Sequence, residues 1–180
     1  IRTQESVDTI IDALIANGIM QRYEESAFIT VWDTTTANET VTLPFVYNAL
    51  ETAPININID WGDGSAIENF NNSYDPSHVY SSAGSYKVII TGTAEYYGTS
   101  ADLRSQKCTD IIQYGNLGIV SWQVAFYYAS LTNVTATDGI SSTATNIDQM
   151  FINSDVETID ISNFDFTNVT TAESMFRNTA

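Results

Sequence analysis

Two kinds of residue are nearly missing from this chain of 180 residues: it has 1 Cys and 1 His, and only 6 basic residues against 22 acidic ones. A single thiol, Cys108, cannot close an internal disulfide, and without a second Cys or a His cluster no zinc site can be assembled. Cys108 is therefore expected in a core, and a disulfide-rich secreted scaffold is disfavoured. The shortage of Lys and Arg leaves a formal charge of -16. Nucleic acid and anionic membranes need a basic face, so both are poor partners; cations and basic surfaces suit the charge electrostatically, and the bland alternative, which weighs more, is that the acidic excess only provides solubility in a salty or calcium-rich medium. No apolar run approaches the ~20 residues that span a bilayer. Nothing resembles a signal peptide, and the opening at Ile1 rather than Met leads to the expectation of a processed or internal start.

What is present suffices for a core: 43% of the residues are hydrophobic and 12% aromatic, enough for one domain or two small ones. Val7, Ile10, Ile11, Leu14 and Ile15 recur at spacings of three and four, with Ser6 as an N-cap and Gly18 as a stop. This predicts a short amphipathic helix over Glu5 to Asn17. So short a helix is marginal alone. Its stripe should dock on the following domain, on a preceding segment, or between subunits.

From Ala27 the period becomes two. Phe28 to Trp32, Thr40 to Phe45 and Ile55 to Trp61 read as strands, the last with Ile55, Ile57, Ile59 and Trp61 on a buried face. Gly62-Asp63-Gly64 makes a tight turn, Ser65 to Ile67 is a candidate short strand, and Asn69 to Pro76 reads as loop. A strong strand follows from Ser85 to Thr93, with Tyr86, Val88 and Ile90 on one face. Short strands at this spacing predict a small antiparallel sandwich.

Asp60-Trp61-Gly62-Asp63-Gly64-Ser65, followed by His78-Val79-Tyr80 and Gly84-Ser85-Tyr86-Lys87-Val88, resembles the W-G-D-G-S … H-x-Y … G-x-Y-x-V signature of polycystic-kidney-disease-type (PKD) domains. The resemblance spans roughly Ala27 to Thr99 and implies an immunoglobulin-like sandwich. It also implies that Trp61, Tyr80 and Tyr86 are core and that Gly62 to Gly64 is a turn. His78 is expected to be a structural hydrogen-bonding residue, because no Ser or Cys constellation accompanies it.

The last third of the chain repeats itself. Phe126, Phe151 and Phe176 fall 25 residues apart, and the columns Trp122/Ile147/Ala172, Ala125/Met150/Met175, Leu131/Val156, Val134/Ile159 and Ala136/Ile161 stay apolar. A period in the twenties with an L-x-x-L-x-L kernel predicts a leucine-rich-repeat solenoid. Its aromatic columns should be core and its ligand-facing positions the polar residues between them. Cys108 to Tyr114 resembles a first strand kernel, so the solenoid is expected to begin near Cys108, after a junction over Gly98 to Lys107. Asn146 to Phe151 and Ile159 to Phe176 resemble the N-x-x-x-M-F … L-D-L-S-N-F-D-T-S-N-V-T repeat of BspA-like leucine-rich-repeat surface proteins. That resemblance implies adhesion or binding to a host, matrix or neighbouring cell. The end at Ala180, inside a coil, leads to the expectation that the natural protein continues or that a partner covers the coil.

The reading therefore gives a mainly β chain. Residues 1–25 form the amphipathic helix and linker, 26–100 a PKD-like sandwich serving as a stalk, and 101–180 the start of a BspA-like solenoid. The candidate binding face is Thr132, Asn133, Thr135, Glu157, Thr158 and Asp160. Asp60 and Asp63 flank the glycine turn and are weak candidates for calcium, lacking the further ligands of an EF-hand loop. Asp148, Asp160 and Asp165 read as a solvated rim, with Ser162, Asn163 and Asn168 bonding turn backbone. No other cofactor is implied. No pair of carboxylates is singled out for acid and base work, so no enzymatic activity is expected. The Asn-x-Ser/Thr sequons at Asn38, Asn71, Asn133 and Asn168 would be glycosylated only in a eukaryotic secretory pathway, and within the repeats they read as coil-to-coil hydrogen bonding. Two roles follow: an extracellular adhesion module at a cell or virion surface that recognises protein or glycan, without inserting into membrane, or a structural part of a filament or virion fibre that self-assembles through the N-terminal helix.

Overall fold

The computed structural model describes residues 26–47, 52–98, 103–132 and 134–180. The helix expected over Glu5 to Asn17 lies outside these residues. Seven strands occur among them: β1 (Phe28–Thr34), β2 (Glu39–Thr42), β3 (Asn56–Asp60), β4 (Glu68–Asn71), β5 (Ser77–Tyr80), β6 (Gly84–Thr93) and β7 (Cys108–Gln113). One sheet has the order β4-β3-β6-β1-β7 and the other pairs β2 with β5, all antiparallel. The two sheets form a β-sandwich of the immunoglobulin-like kind.

The alternation in the sequence explains this layer. Ile55, Ile57, Ile59 and Trp61 are all buried, as are Val88 and Ile90 on β6. Full burial of each such aliphatic side chain contributes about 1.5–3 kcal/mol. Tyr80 is buried and hydrogen-bonds the carbonyl of Trp61 at 2.8 Å. Tyr86 departs from expectation: it is only half-buried, stacked on Tyr80 with ring centroids 3.9 Å apart and its hydroxyl donating to Ser82 O. Gly62 has φ 77°, and a Cβ there would lie 2.3 Å from Lys87 O, so the turn admits no side chain.

Three strands differ from the sequence reading: β5, paired with β2, is absent from that reading, and β4 and β7 depart from it in other ways. The return strand is not Ser65 to Ile67 but β4, which starts at Glu68 and runs into the stretch Asn69 to Pro76 read as loop; it pairs with β3 from Ile59↔Glu68 to Asn56↔Asn71. Its only large apolar residue is Phe70, and it is stitched down by Asn69 Nδ2, which donates to Ile57 O and to the side chains of Asn56 and Asn58. The third difference is β7. It pairs with β1 on the sandwich, so the sheet runs past residue 100 to Gln113. It also receives the next segment of chain, because Ala136 N donates to Ile111 O at 2.9 Å.

Beyond β7 the chain coils upon itself. Tyr96, Ser121, Asn146 and Thr171, each 25 residues after the last, are joined side by side by parallel bridges. Trp122, Val124, Phe126 and Tyr128 donate their N–H groups to Asn146, Asp148, Met150 and Ile152, and Ile147, Gln149, Phe151 and Asn153 donate to Thr171, Glu173, Met175 and Arg177. Every second N–H thus finds its partner 24 residues on. The segments that bond in this way are called rungs below.

The sandwich and the rungs share one hydrophobic core. Phe28 of β1 meets Tyr97 edge-on at 4.9 Å and Trp122 at 5.4 Å, and Phe45 meets Tyr97 at 4.9 Å. Cys108 is buried in the same core, and burial pushes its thiol up out of the ordinary titration range.

Candidate binding surface

The rungs place their aromatic column inside and their polar residues outside. Phe126, Phe151 and Phe176 stack nearly parallel with centroids 5.3 and 5.5 Å apart. Phe126 and Phe151 are buried, whereas Phe176, last of the three, is 38% exposed. Two backbone positions per rung lie in the left-handed region: residues 124, 149 and 174 have φ of 53°, 55° and 56°, and residues 128, 153 and 178 have 54°, 55° and 56°. Side-chain periodicity is thus matched by backbone periodicity. Only Asn153 and Asn178 could have signalled this conformation from sequence.

Carboxylates clamp one rung to the next. Asp138 accepts from the N–H groups of Tyr114 (2.9 Å) and Gly115 (2.8 Å) through its two oxygens. Asp110 accepts from Thr135 N (2.9 Å) and Thr135 Oγ1 (2.6 Å), and Asp148 Oδ1 from Thr171 Oγ1 (2.5 Å) and Glu173 N (2.6 Å). Asp148 is therefore not simply part of a solvated rim. Asp160 and Asp165 do lie at turns, taking the N–H groups of Ser162 and Thr167; the backbone and then the side chain of Ser162 hold Asp160 below the usual carboxyl range, and the side chain and then the backbone of Thr167 do so for Asp165. The amides of Asn163 and Asn168 donate across rungs to Thr137 O (2.9 Å) and Ser142 O (2.8 Å). Sequence reasoning missed the clamps at Asp110 and Asp138; their partners lie 23 to 25 residues away.

Of the candidate face, Asn133 lies outside the described residues. Thr132, Thr135, Glu157, Thr158 and Asp160 are all exposed. Chain segments 132–135 and 157–160 run side by side, since Glu157 N donates to Thr132 O and Val134 N to Thr158 O. Thr158 and Asp160 border a shallow, open depression of about 370 Å³ with Val134 and Ile159. The Thr135 hydroxyl donates to Asp110. A second open depression, of about 630 Å³, was not foreseen; Ser26, Asn116, Thr137, Asp138, Ser141 and Asn163 are among its lining.

The glycine turn is accounted for by local bonds. Asp60 accepts from Gly62 N and Asp63 from Ser65 N, each two residues on. The other oxygen of Asp63 bonds His78 Nε2 at 2.8 Å, and the His78 ring stacks on Trp61 at 5.1 Å while its Nδ1 lies 3.5 Å from Glu68. Hydrogen bonds from Ser65, then from His78, draw the Asp63 carboxyl down to about 2. Among the described residues no group of three or more His, Cys, Asp or Glu side chains is placed to hold a metal ion. No helix there is long and apolar enough to cross a membrane.

Comparison with curated proteins and with solved structures returned no significant match. The family model of the PKD domain matches residues 29–106, the stretch that contains β1 to β6 and the turn at Gly62, so over this part the chain is similar to PKD domains in sequence as well as in architecture.

Proposed function

We propose that this chain is a non-enzymatic extracellular binding module, in which a PKD-like sandwich is the stalk and the rungs are coils of a BspA-like leucine-rich-repeat solenoid. PKD domains occur in extracellular proteins, which supports an exposed location at a cell or virion surface. The observation that carries the reading is the line of parallel bridges from Tyr96 to Thr171, which grows without a break out of the sandwich core. Exposed polar residues on such a support are held in place at little entropic cost when a partner binds. Protein or glycan on a host, matrix or neighbouring cell is the expected ligand. The test is binding of the purified chain to cells, matrix proteins and a glycan array, compared with a variant carrying Thr132→Ala, Glu157→Ala, Thr158→Ala and Asp160→Ala. Binding by the wild type that drops at least about tenfold in the variant, a loss of about 1.4 kcal/mol, supports the role of this face; equal binding refutes it.

A second reading, a structural part of a filament or virion fibre, is favoured by one observation: Ile161, Phe166 and Phe176 are each 38–45% exposed in a strongly acidic chain. Sedimentation over a concentration series decides it. Polymers that dissociate on Phe176→Asp or on Ile11→Asp/Leu14→Asp support assembly, and a monomer at all concentrations refutes it.

A further inference from the structure

The left-handed positions of the rungs are filled unevenly. At 128, 153 and 178 the chain has Tyr, Asn and Asn at nearly equal φ of 54°, 55° and 56°. Asn tolerates this conformation and a bulky side chain does not. The Asn residues also bond each other across the rungs, Asn178 Nδ2 donating to Asn153 Oδ1 at 2.9 Å. Tyr128 forgoes both advantages. At the neighbouring left-handed column Val124 breaks the same rule, but it is only 7% exposed, and burial of its side chain offsets the backbone cost. No such offset serves Tyr128, which is 44% exposed. Its ring meets Tyr127 edge-on at 4.6 Å, so the two form an aromatic pair at the surface. A strained residue whose side chain faces solvent points to use at the surface.

The segment that follows the neighbouring rung, past Ile152 and Asn153, is acidic. Asp155 and Glu157 are exposed, and their segment is fastened alongside by Asp155 N to Ala129 O (3.0 Å) and Glu157 N to Thr132 O (3.0 Å). The cation of the Tyr127 column, Arg177, stands two rungs away, about 10 Å at ordinary strand spacing. The whole chain carries -16. Tyrosine rings with carboxylates beside them fit a guanidinium: the ring face attracts the cation and the acids complement its charge.

We propose that Tyr127 and Tyr128, with Asp155 and Glu157, form a docking site for an arginine-bearing basic segment of a partner protein. This rests on the chain being a binding module and names the chemistry of one partner. The site adjoins the face around Thr132 and Thr158 and shares Glu157 with it, but Tyr127, Tyr128 and Asp155 belong to the docking site alone.

The test uses the full chain and four probes: an alternating arginine-glycine octapeptide, its lysine-glycine counterpart, a neutral oligosaccharide, and the cells or matrix used for the binding assay above. Tyr128→Asn is expected to fold and to raise Tm by about 2–4 °C as the strain is relieved. The same variant should bind the arginine peptide about tenfold more weakly than wild type. Asp155→Asn should weaken it severalfold, with wild-type binding falling as salt rises. The lysine peptide should bind more weakly than the arginine peptide. Arginine-peptide binding that is absent from the wild type, or undiminished in Tyr128→Asn, overturns the proposal. Oligosaccharide binding that needs Tyr128, without peptide binding, overturns it in favour of a glycan site. The arginine peptide alone decides the docking site, whereas no wild-type binding to any cell or matrix counts against the binding-module reading itself.

Discussion

Removing the Asp138 carboxylate should loosen the join between the sandwich and the rungs. Its two oxygens accept the N–H groups of Tyr114 and Gly115 at 2.9 and 2.8 Å, at the turn where β7 leaves the sheet. A hydrogen bond to a charged group contributes about 1.5–3 kcal/mol, and truncating the acceptor leaves both donors unpaired. Asp138 is half-buried, so the lower end applies, and Asp138→Ala should cost about 3 kcal/mol. In a domain of this size about 2–4 °C of Tm goes with each kcal/mol, so Tm should fall by about 6–12 °C. Asp155→Ala, at an exposed position, is the control and should change stability by no more than about 0.5 kcal/mol. Thermal and urea unfolding followed by circular dichroism give the magnitude, and amide hydrogen exchange gives the location. The amides of Tyr114 and Gly115 should lose protection while those of β3 and β6 keep it. A Tm within about 2 °C of wild type, or loss of protection spread evenly over the sheet, would refute the reasoning.

Three further outcomes are expected. Gly139→Ala should destabilise by about 1–3 kcal/mol in urea melts, because a Cβ there would lie 2.5 Å from Asn163 O and 2.6 Å from the Phe164 ring. Tyr97→Phe and Tyr114→Phe should be neutral or stabilising by up to about 1 kcal/mol, since both hydroxyls are buried with no hydrogen-bond partner among the described residues; a loss above about 1.5 kcal/mol in either would show that the hydroxyl has a partner. Stability should fall on acidification between pH 4.5 and about 2: a hydrogen bond from Lys107, then those from Thr35 and Thr36, lower the Glu39 carboxyl to about 2. A depressed carboxyl stabilises above its unfolded pKa and loses that contribution as pH drops through its folded one. Asp63 acts in the same window. Glu39→Gln should flatten the curve there, and an unchanged slope would remove Glu39 from the explanation.

How much of this was legible in the sequence differs from element to element. Strict alternation fixed the faces of β3 and β6, because a half-buried strand has no other way to hide Ile57, Ile59, Val88 and Ile90. The spacing of Phe126, Phe151 and Phe176 was equally direct, since stacked rings need identical registers. β4 was hidden because its hold on the sheet is made by an asparagine amide more than by apolar alternation. Cys108 and Ile111 fit the apolar columns of a repeat and also the buried face of β7, so sequence could not tell that one strand would serve both neighbours. At the candidate face, exposure was foreseen for Thr132, Glu157, Thr158 and Asp160. The clamps were not: an Asp that reaches the next rung looks in sequence like any other acidic residue.

The rungs also have a mechanical meaning. Their hydrogen bonds join neighbours in the stack, so a load applied at the last rung opens those bonds in turn, like a zip, and each rung lengthens the chain when it lets go. Twenty-five residues drawn out at about 3.4 Å apiece release about 85 Å. A tether made this way would yield in steps under tension.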